Sequence, residues 1–203
     1  MSGAASTDAR TALCCAADIV RWSTRRTPEQ LFAQDEMNEV MLNALRSAGL
    51  PERIDQTAGD GTLVVAPGDI DPTVVIPDLL YALRVELRAR NALLMPPARI
   101  RLRVSLTMGL VPAGSLGFGG DTIVRCFRLL NSPPVKEALA LLPEADLAVI
   151  VSGVLYDDVV RHGFRSPCPE EFRRVRCAPP GTDFGEDAWL YVPGPWTEGD
   201  IDI

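Results

Sequence analysis

The sequence contains few of the residues that mark histidine or cysteine chemistry. Its 203 residues include one histidine, His162, and five cysteines with no Cys-x-x-Cys pair. A histidine-based catalytic triad would have to use His162, and no partner arrangement in the sequence supports one. The odd number of cysteines favours neither a disulfide scaffold nor a zinc site. We therefore expect a reduced, cytoplasmic protein in which Cys14 and Cys15 are small core residues.

The sequence also lacks a basic excess and a long apolar run. Its net charge is −7 and its basic residues are scattered, whereas a nucleic-acid-binding protein needs a basic face. No apolar run approaches the ~18 to 20 residues of a membrane span. These absences predict a protein that binds neither nucleic acid nor membrane. The length fits one domain, which we place at residues 11–192, between a disordered arm (1–10) without a signal core and an acidic tail (193–203).

The first half of the sequence predicts a strand, a helix, a hairpin, a helix and a strand. Residues 11–19 form a nearly continuous apolar run, as in a strand buried on both faces. A helix follows, with a capping box of Thr27 and Gln30 and with Gly49 at its end. The next elements are a hairpin at 53–66, a helix at 74–89 capped by Asp71, and an alternating strand at 99–106. This order predicts an α+β, ferredoxin-like (βαββαβ) fold, an antiparallel sheet with helices on one side.

The second half is predicted to add strands and short helices to this sheet. A glycine-rich loop at 109–120 precedes a helix capped by Asp121 or Thr122. The later elements are a short helix from Ser132 to Leu142, a strand at 145–151, a helix at 154–162 capped by Ser152, and two closing strands at 172–177 and 188–192.

Two aspartates are the candidate metal ligands. Asp18 ends the first strand, where a charge needs a partner. Asp60 lies in the Gly-Asp-Gly turn of the hairpin, a pattern that also serves as turn chemistry alone. If the strand lies beside the hairpin, the two carboxylates converge. Two carboxylates and a phosphate-bearing substrate are a common way to hold Mg²⁺.

Four segments, residues 17–23, 59–61, 101–109 and 119–130, resemble the successive signature segments of class III nucleotidyl cyclases. They occur in the order of that family and at comparable spacing, over residues 13–192. The sequence is most similar to the short, stand-alone and divergent members of actinobacteria. The resemblance implies the α+β cyclase fold, a homodimer, and conversion of a nucleoside triphosphate to a 3′,5′-cyclic nucleotide and pyrophosphate.

The resemblance also implies a role for each matching residue. Asp18 and Asp60, with the backbone carbonyl of Ile19, would hold Mg²⁺ or Mn²⁺. Arg128 would reach across the homodimer to the α-phosphate and stabilise its developing charge; alternatively, it lies along the helix surface. Backbone amides would bind the β- and γ-phosphates from a turn formed by Val20, Arg21, Trp22 and Ser23.

The sequence departs from the purine cyclases of this family at the positions that read the base and the ribose. Gln56 replaces a base-reading lysine, and the partner base-reading position falls near Gly117. Val124 replaces a ribose-binding asparagine, and Arg21 replaces the usual glycine of the phosphate turn. These changes predict either a pyrimidine substrate, UTP or CTP, as in the small cyclases of bacterial antiphage signalling, or a cyclase-fold pseudoenzyme that binds nucleotide or a partner protein.

Overall fold

A computed structural model describes the protein over residues 9–50, 54–114 and 117–194. The helices are α1 (Thr27–Ser47), α2 (Pro72–Asn91), α3 (Asp121–Leu130), α4 (Pro133–Leu141) and α5 (Gly153–Asp158). The strands are β1 (Ala9–Ile19), β2 (Ile54–Ala58), β3 (Gly61–Pro67), β4 (Leu102–Gly114), β5 (Gly117–Phe118), β6 (Leu147–Ser152), β7 (Phe172–Cys177) and β8 (Glu186–Tyr191). Within these described ranges, no helix is both long and apolar enough to pass through a membrane.

The strands form one mixed sheet in the order β2-β3-β1-β4-β6-β8-β7, with β5 paired to β4. Strands β4 and β6 are parallel, and the other neighbours are antiparallel. The first six elements follow the predicted order, and β4-β1-β3-β2 is the strand order of a ferredoxin-like unit. The predicted α+β, ferredoxin-like fold is therefore confirmed, with β6, β7 and β8 extending it beyond β4.

Helices cover both faces of the sheet. Helices α1 and α2 pack on one face with alternate residues of β1, such as Leu13 and Cys15. Helix α3 packs on the other face against Cys14 and Ala16, and α4 packs beside it against β6 and β8. The prediction of helices on one side is wrong for the whole chain, because α3 and α4 form a second layer. The prediction that β1 is buried on both faces is confirmed: its residues from Ala12 to Asp18 are all buried.

Several element ends differ from the sequence predictions. The capping box of α1 uses Arg26 and Glu29, one residue earlier than Thr27 and Gln30, with the Arg26 amide donating to the Glu29 carboxylate at 2.9 Å. Helix α3 has Gly120 as its N-cap rather than Asp121 or Thr122. The C-terminal part of the helix predicted at 154–162 is a 3₁₀ turn at Val160–His162.

The glycine-rich segment at 109–120 is largely strand rather than loop. Strand β4 continues to Gly114 because residues 109–112 pair with the first residues of β1. A glycine is required at position 109, since an added Cβ would lie 2.7 Å from Oγ1 of Thr122 in α3. The glycines therefore let a helix lie close to the sheet, and do not mark a break in it.

Candidate active site

The hairpin turn and the end of β1 bring the two candidate aspartates together. Asp18 lies opposite Gly61 in the β1–β3 ladder, and Gly61 directly follows Asp60 in the sequence. The backbone amide of Ile19 also donates to the carbonyl of Asp60 at 3.0 Å. Gly59 takes a φ of +59°, which allows the turn to reverse within two residues. The strand therefore lies beside the hairpin, which was the condition for the two carboxylates to converge. Asp18 and Asp60 are neighbours.

Asp18 is held by Arg103, a residue that the sequence analysis did not assign to the site. Arg103 lies directly opposite Asp18 in the β1–β4 ladder. Its Nε donates to Oδ1 of Asp18 at 2.7 Å and its second guanidinium nitrogen donates to Oδ2 at 2.8 Å. The two side chains are only 12% and 16% exposed. This bidentate pair is the partner that a buried charge at the end of β1 needs.

The surroundings of Asp18 act on its charge in opposite directions. Burial is the largest effect and raises the pKa of the Asp18 carboxyl, and the negative charge of Asp60 raises it further. Arg103 and, from α4, Lys136 lower the same pKa. Burial and Asp60 therefore oppose ionisation of Asp18, and the positive charges of Arg103 and Lys136 favour it.

The turn after β1, which the resemblance assigns to phosphate binding, already uses one of its amides in a hydrogen bond within the protein. Arg21 is the only described non-glycine residue with positive φ, at φ 58° and ψ 32°, the left-handed region that favours glycine. A 3₁₀ turn at Trp22–Thr24 follows it. The Val20 amide donates to the Arg101 carbonyl at 2.9 Å, so it does not offer itself to a phosphate as the resemblance implied. The amides of Arg21, Trp22 and Ser23 begin the turn, where amides have no partner within a helix.

Helix α4 is fixed to this turn through Arg101. The Arg101 side chain donates to three carbonyls, those of Leu139 at 2.6 Å, Leu142 at 2.7 Å and Ala145 at 2.7 Å. Its carbonyl accepts the Val20 amide described above. Arg101 therefore contacts the turn after β1 through its backbone carbonyl and the end of α4 through its side chain.

Arg128 lies on the exposed side of α3. Its guanidinium lies over the Phe184 ring of the loop between β7 and β8, 5.4 Å from the ring centroid. It also lines an open groove of about 490 Å³. The other residues that line the groove are Ile123, Val124, Phe127, Asn131, Lys136, Pro179, Pro180 and Thr182. Val124 and Phe127 are about two-fifths exposed there, so this side of α3 combines a cation with an apolar surface.

The two candidate base-reading residues, Gln56 and Gly117, lie on different strands, and the structure gives the positions of their backbones. Gln56 lies in β2 opposite Leu63, and its side chain falls outside the described part of the structure. Gly117 lies in β5 opposite Gly114, at the far end of β4 from Arg103. Gly114 is eleven positions along β4 from Arg103, so Gly117 is roughly 35 Å from Asp18 within one chain.

The protein part of the candidate metal site is small. No group of three or more histidine, cysteine, aspartate or glutamate side chains that could hold a metal occurs in the described ranges. Asp18 and Asp60 offer oxygen ligands only, which suits Mg²⁺ or Mn²⁺ better than a softer metal. Such a site needs further oxygens, and the phosphates of a substrate are the usual source.

Comparison with known proteins gives matches at the level of structure. No family model and no curated protein sequence matches the chain significantly. An adenylate/guanylate cyclase/hydrolase from Silicibacter pomeroyi is 19% identical, with a TM-score of 0.67 over 93% of this chain and 99% of that one. The guanylyl cyclase Cya2 is 12% identical, with a TM-score of 0.61 over 94% of this chain and 96% of that one.

A third similar structure contains a nucleotide. The guanylate cyclase domain of RhGC from Catenaria anguillulae, in complex with GTP, is 16% identical, with a TM-score of 0.56 over 91% of this chain and 98% of that one. All three align over more than nine tenths of this chain. The chain therefore has the fold of the class III adenylate and guanylate cyclase domains that its sequence segments resemble.

Proposed function

We propose that the protein is a divergent nucleotidyl cyclase that works as a homodimer. It converts a nucleoside triphosphate, UTP or CTP in our proposal, to a 3′,5′-cyclic nucleotide and pyrophosphate. One observation carries the proposal: within a cyclase fold, Asp18 and Asp60 lie side by side next to the buried cation Arg103. A cytoplasmic location and a role in antiphage signalling belong to the same proposal.

The residues present fit a divalent cation. Asp18, Asp60 and the carbonyl of Ile19 would hold Mg²⁺ or Mn²⁺ together with phosphate oxygens of the substrate. The bound ion supplies charge neutralisation and lowers the pKa of the ribose 3′-hydroxyl. Arg103 would then exchange Asp18 for a phosphate oxygen, which is also a partner for its planar guanidinium.

The remaining groups act on the phosphates. The amides of Arg21, Trp22 and Ser23 bind the β- and γ-phosphates. The 3′-hydroxyl loses its proton to water, the 3′-oxygen attacks the α-phosphorus, and the bond from that phosphorus to the pyrophosphate oxygen breaks, so that pyrophosphate leaves. Arg128 stabilises the negative charge that develops at the α-phosphate.

The placement of the parts supports a site that is shared with a second copy of the chain. Gly117 is roughly 35 Å from Asp18 in one chain, too far for a single nucleotide to touch both. Arg128 faces away from the sheet over Phe184, at an exposed groove. If each site takes Asp18 and Asp60 from one copy and Gly117 and Arg128 from the other, the long separation and the outward position of Arg128 are both accounted for.

The proposed activity is tested by offering all four ribonucleoside triphosphates with Mn²⁺ and identifying cyclic products by mass spectrometry. We expect a pyrimidine product, because at the two positions that read a purine in the family Gln56 offers an amide in place of a lysine and Gly117 offers no side chain. Asp60→Ala protein is the control and should give none. Product from ATP or GTP alone would keep the cyclase proposal but contradict the pyrimidine substrate.

Complementation between two inactive variants tests the shared site. Asp60→Asn protein lacks a metal ligand, and Arg128→Ala protein lacks the arginine. After mixing and subunit exchange, we expect about a quarter of wild-type activity, since half of randomly paired dimers are mixed and one of their two sites is complete. Each variant alone is the control. Full activity from a strictly monomeric protein, or no recovery in dimers shown to have exchanged, would contradict the shared site.

A pseudoenzyme is the second candidate function. Arg103 already uses both oxygens of Asp18, which favours a fold that binds nucleotide without turning it over. In that case calorimetry would detect nucleotide binding while none of the four triphosphates gave a cyclic product. Product that disappears with Asp60→Ala would exclude this alternative.

A further inference from the structure

Arg103 already supplies a positive charge to Asp18, the residue that the proposed function makes a metal ligand. Its Nε donates to Oδ1 of Asp18 at 2.7 Å, and its second guanidinium nitrogen donates to Oδ2 at 2.8 Å. Both carboxylate oxygens therefore accept a charge-assisted hydrogen bond, in the planar, bidentate arrangement that makes such pairs strong. A divalent cation that binds Asp18 has to share the carboxylate with this guanidinium or displace it.

The sheet fixes the two residues against each other. Arg103 lies opposite Asp18 in the β1–β4 ladder, and Asp18 lies opposite Gly61 in the β1–β3 ladder, so both backbones belong to paired strands. Arg101, two residues before Arg103, directs its guanidinium to three carbonyls in and after α4, and it does not compete for Asp18. Asp18 and Arg103 can therefore separate by rotation of their side chains while the strands stay in place.

Displacement of Arg103 by a bare metal ion is unfavourable. The Arg103 side chain is mostly buried, and a buried guanidinium that loses its carboxylate keeps an uncompensated charge. A guanidinium that stays beside Asp18 instead repels the incoming cation, strongly so in a partly desolvated site. Asp18, Asp60 and Arg103 together carry two negative charges and one positive charge, so little attraction is left for a bare divalent ion.

A polyphosphate removes both costs. Its oxygens carry negative charge, and they match the planar donors of a guanidinium as a carboxylate does. Arg103 can then move from Asp18 to the phosphate without losing a partner. The same phosphates supply the further oxygen ligands that Mg²⁺ or Mn²⁺ needs.

We propose that Arg103 makes the site selective for a divalent cation that arrives with a polyphosphate over the bare ion. The inference rests on the proposed function for the assignment of Asp18 and Asp60 as metal ligands. Without a polyphosphate, the guanidinium keeps Asp18 occupied. With one, the carboxylate becomes available to the metal as Arg103 takes the phosphate, so the two ligands favour each other's binding.

Binding of Mn²⁺ in the absence of phosphate, measured by electron paramagnetic resonance of the free ion, tests the inference without turnover. We expect Arg103→Gln protein to bind bare Mn²⁺ at least about tenfold more tightly than wild type, within the usual range for coupling between two ligands. A merely structural role would have the opposite sign, because a disturbed site binds metal more weakly. Arg103→Lys keeps the positive charge and should stay within about threefold of wild type.

The effect of tripolyphosphate on Mn²⁺ binding gives the second half of this test. Mn²⁺ and tripolyphosphate also bind each other in solution, so the coupling is the difference between wild type and Arg103→Gln protein in identical solutions. We expect tripolyphosphate to strengthen Mn²⁺ binding about tenfold or more in wild type relative to the variant. The control is Arg165→Gln, which removes a positive charge from the more exposed pair with Asp78 and should change neither affinity more than about twofold.

Nuclear magnetic resonance of the arginine Nε–H groups tests the same exchange in wild-type protein, with the Arg103 signal assigned by its absence from Arg103→Lys protein. We expect the signal to shift with Mg²⁺ and tripolyphosphate together and to stay in place with Mg²⁺ alone. A shift with Mg²⁺ alone, or bare Mn²⁺ bound no more tightly by Arg103→Gln protein than by wild type, would overturn the inference. Cyclic product from an enzyme with either result would leave the proposed function standing. If the expected results hold and no triphosphate is cyclised, the proposed function fails while the selectivity of the site remains.

Discussion

Replacing Asp60 by asparagine is expected to lower kcat/KM for cyclic nucleotide formation about a thousandfold and to leave the fold intact. The loss of one metal-binding carboxylate removes about 4 kcal/mol of transition-state stabilisation. Asp60 lies in the two-residue turn between β2 and β3, where it is only partly buried. The hydrogen bond that it accepts from Ile19 uses its backbone carbonyl, which the substitution retains. Steady-state rates with Mn²⁺ and circular dichroism melting measure the two effects.

The matched control for Asp60 is Asp69→Asn, which removes the same charge from an exposed loop position. We expect Asp69→Asn to retain activity within about twofold, because exposed charges away from the site are screened. An Asp60→Asn protein with wild-type kcat/KM would show that Asp60 is a turn residue only. An Asp60→Asn protein that melts much earlier than wild type would show a structural role in the hairpin instead.

Replacing Arg103 by methionine is expected to lower the free energy of unfolding by about 3 to 5 kcal/mol. The substitution leaves the Asp18 carboxylate buried without its bidentate partner and next to the like charge of Asp60. Since domains of this size have total stabilities of about 5 to 15 kcal/mol, this is a large share. Urea unfolding followed by circular dichroism measures the change.

A double variant distinguishes the effect of breaking the buried ion pair from the effect of losing side-chain packing. Asp18→Leu combined with Arg103→Met removes both charges, and we expect it to recover most of the stability lost in Arg103→Met, because paired hydrophobic replacements of buried ion pairs are often neutral. The control is Arg165→Met, which breaks the more exposed pair with Asp78 and should cost less than about 1 kcal/mol. A double variant as unstable as Arg103→Met would show that the charge pair does not account for the loss.

The sequence predicted the parts of the site that depend on local pattern. The apolar run before Asp18 predicts a buried strand, and the Gly-Asp-Gly segment predicts a hairpin turn, so the neighbouring placement of Asp18 and Asp60 followed once those strands paired. The capping of α2 by Asp71 and of α5 by Ser152 was likewise local and is confirmed. These features follow from backbone propensity and hydrogen bonds within a few residues.

Arg103 was missed because its role depends on register between strands that are distant in sequence. The alternation at 99–106 predicts a strand with one polar face toward solvent. In the structure, that face meets α3 and α4, so Arg101 and Arg103 are drawn inward to carbonyls and to Asp18. Only the pairing of residue 18 with residue 103 reveals the contact, and pairing register is not encoded by local pattern. The same limit explains why the glycine-rich segment was predicted as a loop. Its pairing with β1, which is distant in sequence, makes it part of a strand.

The guanidinium group on Asp18 acts as an internal counter-ion. Two carboxylates side by side repel each other, and an empty pocket that contained only these would tend to open or to take up protons. With Arg103 in place, the two carboxylates are held beside a positive charge. In the proposed function, a bound cation would replace Arg103 as the positive partner of Asp18, and Arg103 would move to a phosphate oxygen.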